Sequence, residues 1–320
     1  MTKTTAKQGS SVANRKDQGA KNNESTGVQL TVEEAIREAN ESSTVGDGDG
    51  TVDERVAVNA KQQLADPFGK RIASEDIFKH HQLEELRELV KTAIVQHSMA
   101  LVSGPPGVGK TTGVRSVTDE LPVNKYTVVY LGQDQNGANM VRRFTECLGL
   151  RAKGFRFNHV LQISQWLADN LKNGGKRITL VVDEAHLLDD QTLEDLRLLS
   201  NADYDRQSPL SLILLAQPWL RARLKSPFFE PLMQRLRYRY SLDGLSKEET
   251  DQYIRGRLTA AGLNSDFFSD EAIHQVFAYS EGIPRRINNL CSHLLLKARI
   301  AGISTVDAAL VKFVAESLDG

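Results

Sequence analysis

Gly104-Pro105-Pro106-Gly107-Val108-Gly109-Lys110-Thr111 is the stretch on which the reading of this chain turns. It satisfies the spacing G-x-x-x-x-G-K-[ST] between an apolar run, Met99–Ser103, that reads as a buried strand and a segment, Lys110–Glu120, that reads as a helix. Glycines let successive backbone N–H groups converge on phosphate oxygens without Cβ obstruction, and the helix beyond presents its positive end. Gly104, Pro105, Pro106, Gly107, Val108, Gly109, Lys110, Thr111 and Thr112 are therefore expected to surround a nucleoside triphosphate. Lys110 would reach the β- and γ-phosphates, and the Thr111 hydroxyl would ligate magnesium. A glycine turn with no ligand has no need for Lys followed by Thr.

Downstream, Ile178-Thr179-Leu180-Val181-Val182-Asp183-Glu184 reads as a second buried strand, ending in two carboxylates. Adjacent acids there need a counter-charge, because burying bare charge is costly. A magnesium ion held through Asp183 supplies it, leaving Glu184 to polarise the attacking water. Asp183-Glu184-Ala185-His186 also spells the box of one helicase class. Such enzymes need two tandem nucleotide folds, and the residues after Leu245 read as helical and too few. His186 is expected to support the site or open a helix rather than to catalyse.

Outward from these motifs, short apolar strands alternate with helices. The strands are Met99–Ser103, Tyr126–Leu131, Ile178–Asp183, Leu210–Ala216 and Tyr238–Leu242. The intervening helices are Lys110–Glu120, Ala138–Leu148, Val160–Asn173 and Gln191–Ser200, and a helix at Gln82–Gln96 precedes them all. Near-continuous apolar strands predict a parallel sheet covered on both faces. After Leu245 only helices are expected, near Lys247–Ala261, Asp270–Ser280, Arg285–Ala301 and Thr305–Ser317. The expected organisation is a polar tail and linker over 1–66, an αβα nucleotide-binding domain over 67–245 and a small helical lid over 246–320.

The tail is too polar to offset its ordering entropy by burial. It contains a capping-box pattern at Thr31-Val32-Glu33-Glu34 that could open a short helix. Asp47-Gly48-Asp49-Gly50-Thr51-Val52-Asp53 resembles the middle of a calcium loop, but Val45 and Val56 stand where that loop needs its end carboxylates.

The 320 residues carry 40 Lys and Arg against 41 Asp and Glu, a net charge of -1 that excludes a globally basic nucleic-acid coat protein. Cys147 and Cys291 lack metal-ligand spacing and are expected to be buried thiols in helices. No apolar run suits a membrane span and the start lacks a signal-peptide centre, so no membrane partner and a cytoplasmic location are expected.

Four further stretches carry a resemblance: Val181-Val182-Asp183-Glu184-Ala185-His186-Leu187-Leu188, Leu212-Ile213-Leu214-Leu215-Ala216-Gln217-Pro218, Leu242-Asp243-Gly244-Leu245-Ser246-Lys247-Glu248-Glu249-Thr250 and Gly282-Ile283-Pro284-Arg285-Arg286-Ile287-Asn288-Asn289-Leu290. In this order behind the phosphate loop, over roughly 78–317, the chain resembles the AAA+ ATPases. It is most similar to the ExeA-like branch, related to bacterial transposition helper ATPases of the MuB and TnsC type. The resemblance implies a five-stranded αβα sandwich with a helical lid, ATP and Mg2+ as ligands, and ATP hydrolysis between the subunits of an oligomer. It implies that Gln217, where many relatives carry Asn or Thr, senses the γ-phosphate, and that Arg285 is a second sensor reaching down from the lid. Arg286 is expected at the surface. Arg235, with Arg237 as fallback, would be the finger lent to a neighbouring copy; such a cation contributes about 10³–10⁵-fold in other nucleotide hydrolases.

By the same resemblance the leading role is a helper that assembles as a ring or filament on duplex DNA and recruits or regulates a transposase. Arg151, Lys153 and Arg156, interleaved with Phe155 and Phe157, form a loop suited to phosphates and exposed bases; two anchoring phenylalanines in a solvated loop are the alternative. Arg142, Arg143 and the loop 133–136 are further candidates. The runner-up is a secretion or envelope-assembly ATPase. Those relatives carry a membrane segment and a wall-binding region downstream that this sequence, ending at Gly320, is not expected to have. The third is an ATP-dependent signalling switch, which would not need Glu184, Gln217 and Arg235 together.

Overall fold

The computed structural model describes residues 66–69, 77–132, 137–151, 154–201 and 208–319. The capping-box stretch at 31–34, the calcium-like stretch, the loop 133–136 and Lys153 lie outside the described residues.

Helix α1 (His81–Val95) leads into β1 (Met99–Ser103), α2 (Lys110–Thr118) and β2 (Tyr126–Leu131). Then come α3 (Gly137–Cys147), α4 (Arg156–Lys172), β3 (Arg177–Val182), α5 (Asp190–Leu199) and β4 (Leu210–Ala216). Two short helices, α6 (Pro218–Arg223) and α7 (Glu230–Arg235), precede β5 (Leu236–Ser241). Four helices follow: α8 (Lys247–Ala260), α9 (Asp270–Ser280), α10 (Pro284–Ala301) and α11 (Ala308–Asp319).

The strands form one parallel five-stranded sheet in the order β2-β3-β4-β1-β5. Because side chains alternate along a strand, each central strand feeds two cores. Leu101, Leu180, Val182, Leu212 and Leu214 face the core shared with α3, α4 and α5. Ala100, Val102, Val181, Ile213 and Leu215 face the core under α1 and α2. Full burial of each large apolar side chain stabilises the sandwich by about 1.5–3 kcal/mol.

The C-terminal helices close on a core of their own, including Tyr253, Ile254, Ile273, Ile287, Leu290 and Leu294. Its first helix starts with a complete capping box: Glu249 N–H donates to Ser246 Oγ at 3.1 Å, and Ser246 N–H donates to Glu249 Oε2 at 2.8 Å. Sheet and helices meet through two glycines. A Cβ at Gly244 would lie 2.2 Å from the Glu281 carbonyl oxygen and one at Gly282 2.0 Å from that of Leu245, so neither position admits a methyl group.

Residues 66–69, which straddle the expected boundary between the linker and the sheet domain, pack with the helices. Phe68 is buried in the helical core, Ser292 Oγ donates to Asp66 Oδ2 at 2.7 Å, and Arg257 donates to the Gly69 carbonyl at 3.3 Å. The fifth strand begins at Leu236, two residues ahead of expectation, and α4 begins at Arg156 rather than Val160. Helices α6 and α7 are too short for a periodic signal and were not foreseen. Of the two thiols, Cys291 is buried with its pKa pushed up by burial, but Cys147 is exposed on the outer face of α3, correcting the expectation for it. No described helix is long and apolar enough to cross a membrane.

Candidate active site

The loop between β1 and α2 leaves the sheet beside β4 and doubles back at Gly107 (φ +84°) and Gly109 (φ +109°), a region L side chains avoid. A Cβ at Gly104 would collide with the Leu242 carbonyl oxygen at 2.3 Å, whereas one at Gly109 would enter open space. Gly109 therefore lines a free concavity in which backbone N–H groups stand ahead of the α2 N-terminus. Lys110 is buried, and its Nζ donates to the loop's own carbonyls, Gly104 at 2.8 Å and Pro105 at 2.9 Å. Burial lowers its pKa, opposed by the nearby Glu184 and Asp183 carboxylates.

Asp183 follows the last residue of β3, continued by its N–H bond to the Leu131 carbonyl at 2.8 Å. Its Oδ2 accepts from the Thr111 hydroxyl at 2.8 Å and from the Tyr130 hydroxyl at 2.6 Å, while Oδ1 accepts from Glu184 N–H at 2.8 Å. Burial and this carboxylate push the Tyr130 pKa up. Tyr130 was missed by sequence reasoning: it is one aromatic in an apolar strand, and only the parallel register of β2 and β3 brings its hydroxyl to Asp183. Thr111 and Asp183 are hard oxygen donors meeting at one point, the chemistry magnesium requires. This donor set and the open cradle at Gly109 fit a magnesium-bound triphosphate.

Glu184 adopts a left-handed backbone (φ +52°), unusual for a residue with a side chain. Its Oε2 lies 3.3 Å from Nε2 of the buried His186, whose Nδ1 accepts from Gln217 N–H at 3.3 Å. Gln217 caps α6 directly after β4, the strand between β3 and β1, and so stands between the acidic strand end and the phosphate loop.

Pro106, Gly107, Val108, Gly109, Lys110, Thr111 and Thr112 line one cleft of about 670 Å³ with Asp183, Glu184 and Arg285. Its far wall comes from the helices and the strap before α1, through Phe68, Phe78, Tyr253 and Asn288. Arg285 sits in the first turn of α10; its backbone N–H donates to the Gly107 carbonyl at 3.2 Å. Arg286 points away, half exposed and paired with Glu281 at 2.7 Å.

Arg235 is outside this cleft. It ends α7, and the next residue, Leu236, pairs with Met99 at the start of β1, so Arg235 lies at the opposite end of the sheet from its own phosphate loop. Arg237, the fallback, is exposed on edge strand β5 over the Tyr238 ring.

Among the nucleic-acid candidates, Arg156 is partly buried and engaged within the chain. It donates to Asp195 Oδ2 at 2.6 Å, Thr192 Oγ1 at 2.8 Å and Asp189 Oδ2 at 3.5 Å, because α4 starts there and aims it at α5. Arg151 is exposed. Phe155 and Phe157 are 85% and 74% exposed, so they anchor nothing among the described residues. Arg142 pairs with Glu146 at 3.0 Å on the surface of α3.

Residues 92–224 match the family model described as AAA domain. The chain is 32% identical over 223 residues to General secretion pathway protein A of Aeromonas hydrophila, covering 69% of this chain and 40% of that protein. It is 26% identical over 158 residues to an uncharacterized HTH-type transcriptional regulator of Methanocaldococcus jannaschii, covering 48% of this chain and 38% of that one. The chain thus spans about two fifths of the length of the curated relatives it matches. Among solved structures it is similar to Cdc6p of Pyrobaculum aerophilum, with TM-score 0.60 and 15% identity over 75% of this chain and 67% of that one. The Drosophila ORC bound to DNA gives TM-score 0.57 and 19% identity over 91% and 74%. These likenesses carry the architecture, and with the phosphate loop, the acidic strand end and the helical region they identify the fold: the chain has the P-loop AAA+ fold, and its residues 92–224 match an AAA domain.

Proposed function

We propose that the chain binds ATP with magnesium in the cleft between sheet and helices and hydrolyses it at a site completed by a neighbouring copy. The observation that carries this is the meeting of the Thr111 hydroxyl and the Asp183 carboxylate at 2.8 Å beside a phosphate loop with an open cradle at Gly109. When bound, magnesium supplies charge neutralisation for the phosphates. Thr111 and Asp183 would hold it, Lys110 would leave the loop carbonyls to meet the phosphates, and Glu184 would accept hydrogen bonds from the attacking water. Arg285 approaches from the helical side. The position of Arg235, at the far end of the sheet, supports a finger that serves the next subunit and not its own.

Two readings of the work performed follow from the resemblance. An ExeA-like secretion or envelope-assembly role is favoured by the relative at 32% identity, which is named for general secretion. The transposition helper reading, with duplex DNA and a transposase as partners, draws on the exposed Arg151, Phe155 and Phe157. The likeness to an ORC bound to DNA is one of fold alone.

The test is hydrolysis by the purified chain at several protein concentrations. Lys110→Ala should lose nucleotide binding, and Glu184→Gln should bind ATP but not turn it over. Specific activity should rise with concentration as copies pair. A Glu184→Gln protein with normal turnover would remove that residue from its role. ATP-strengthened, salt-sensitive binding to duplex DNA would favour the helper reading, since phosphate contacts release counterions.

A further inference from the structure

His186, which the sequence alone leaves as either a support for the site or a helix-entry residue, stands at the end of the sheet that carries the acidic strand end. It lies in a single 3-10 turn, Ala185–Leu187, directly after the left-handed Glu184, and is only 4% exposed. Its two ring nitrogens face different partners. Nδ1 accepts from the Gln217 backbone N–H at 3.3 Å, so in the neutral ring the proton resides on Nε2. That nitrogen faces Glu184 Oε2 at 3.3 Å. Behind the ring, Trp219 packs edge-on with centroids 5.1 Å apart, and the Arg223 guanidinium binds the His186 and Leu188 carbonyls at 3.4 and 2.8 Å. The imidazole is therefore fixed in place, in tautomer and in tilt.

We infer that His186 is a positioning residue for hydrolysis, a neutral imidazole that holds the Glu184 carboxylate and the Gln217 backbone at a set separation. The inference rests on the ATPase reading above. Glu184 needs such a restraint: its left-handed backbone leaves the side chain at the end of a tight turn, and a water-polarising carboxylate displaced by about 1 Å loses on the order of 100-fold in rate. The ring also ties the end of β3 to the end of β4, so a shift of Gln217 toward a γ-phosphate is transmitted to the carboxylate. Trp219, 47% exposed, is the surface element touching this ring.

The experiment separates the two ring nitrogens. In His186→Asn the amide oxygen can replace Nδ1 as acceptor from Gln217 N–H, but the shorter side chain offers no donor at the place of Nε2. In His186→Gln the longer amide places an N–H donor where Nε2 was. The expected result is ATP affinity and melting temperature close to those of the parent in both, kcat reduced about 10–100-fold in His186→Asn, and most of it restored in His186→Gln. A second readout needs no turnover. The chain has 2 Trp, so Trp166→Phe leaves Trp219 as the sole indole, and its emission should change on binding a non-hydrolysable ATP analogue with magnesium. That response should vanish in His186→Asn. Parental kcat in His186→Asn, or a rate loss matched by equal losses in affinity and melting temperature, overturns the inference while the ATPase reading stands. Equal activity of the parent and Glu184→Gln proteins brings down the ATPase reading, and the inference with it.

Discussion

The backbone N–H of Arg285 donates to the carbonyl of Gly107 across 3.2 Å, so the first turn of a lid helix is fastened to the phosphate loop itself. The fit is close: a Cβ on Gly107 would lie 2.5 Å from Arg285 Cβ, which is no flexible side-chain tip but an atom beside the helix backbone. Gly107→Ala must therefore strain a φ of +84° and push α10 away. We expect a loss of about 1–3 kcal/mol in unfolding free energy together with weaker nucleotide binding. At Gly109, where a Cβ meets open space, alanine should weaken nucleotide binding while leaving the lid seated. Thermal melting and nucleotide titration of the two variants check this.

Tyr130→Phe removes one of two hydroxyl donors from Asp183 Oδ2. The carboxylate then loses the group that orients it from the β2 side. The magnesium concentration for half-maximal nucleotide binding should rise about 10-fold or more, with binding at saturating magnesium preserved. A magnesium titration unchanged by the substitution would show that Thr111 and the Glu184 N–H orient the carboxylate without help from Tyr130.

Arg156→Ala should be costly in stability and silent in DNA binding. It strips the ion-pair partner from Asp195, whose side chain is only 7% exposed, and leaves that buried carboxylate with the amide hydrogen bond from Gln191 at 3.2 Å. The expected loss is about 3 kcal/mol, read as a lower urea midpoint. Arg151→Ala should show the reverse pattern if the Phe155–Phe157 face meets nucleic acid.

Acid should weaken the fold before the carboxylates titrate. His80, His97 and His186 all have pKa values lowered first by burial, with Arg177 adding to the effect at His97. An unfolded imidazole takes its proton near pH ~6.5, whereas these folded ones do so at lower pH. The unfolded state therefore binds more protons in that window, and stability, complete above the unfolded value, declines as pH falls through it. Melting temperature should drop between pH 7.5 and 5.5, and His97→Gln should flatten the dependence.

The legible part of this molecule was whatever a short run of residues decides by itself. The phosphate loop needed its glycines and lysine in sequence, and the buried strands declared themselves through continuous apolar runs because both faces of the sheet are covered. Relations that depend on register were not legible. Nothing in the order of residues brings Tyr130 to Asp183, or sets the Gln217 backbone on His186; these follow from which strands lie side by side. The surroundings of Arg156 were hidden for a related reason. Read in a loop between aromatics it resembles a phosphate ligand, but the helix starts four residues early and turns it onto Asp195. Phe68 likewise reads as the leading edge of the sheet domain and is buried among helices that follow it in the chain by nearly the whole length of the sheet.

If Arg235, placed at the far end of the sheet from its own phosphate loop, serves a neighbouring copy as proposed, the parts of one working centre would be divided between two polypeptides. Two lifeless preparations, one without Lys110 and the other without Arg235, would then hold a full set between them. Blended, they should regain at mixed junctions a share of the turnover that neither shows when pure.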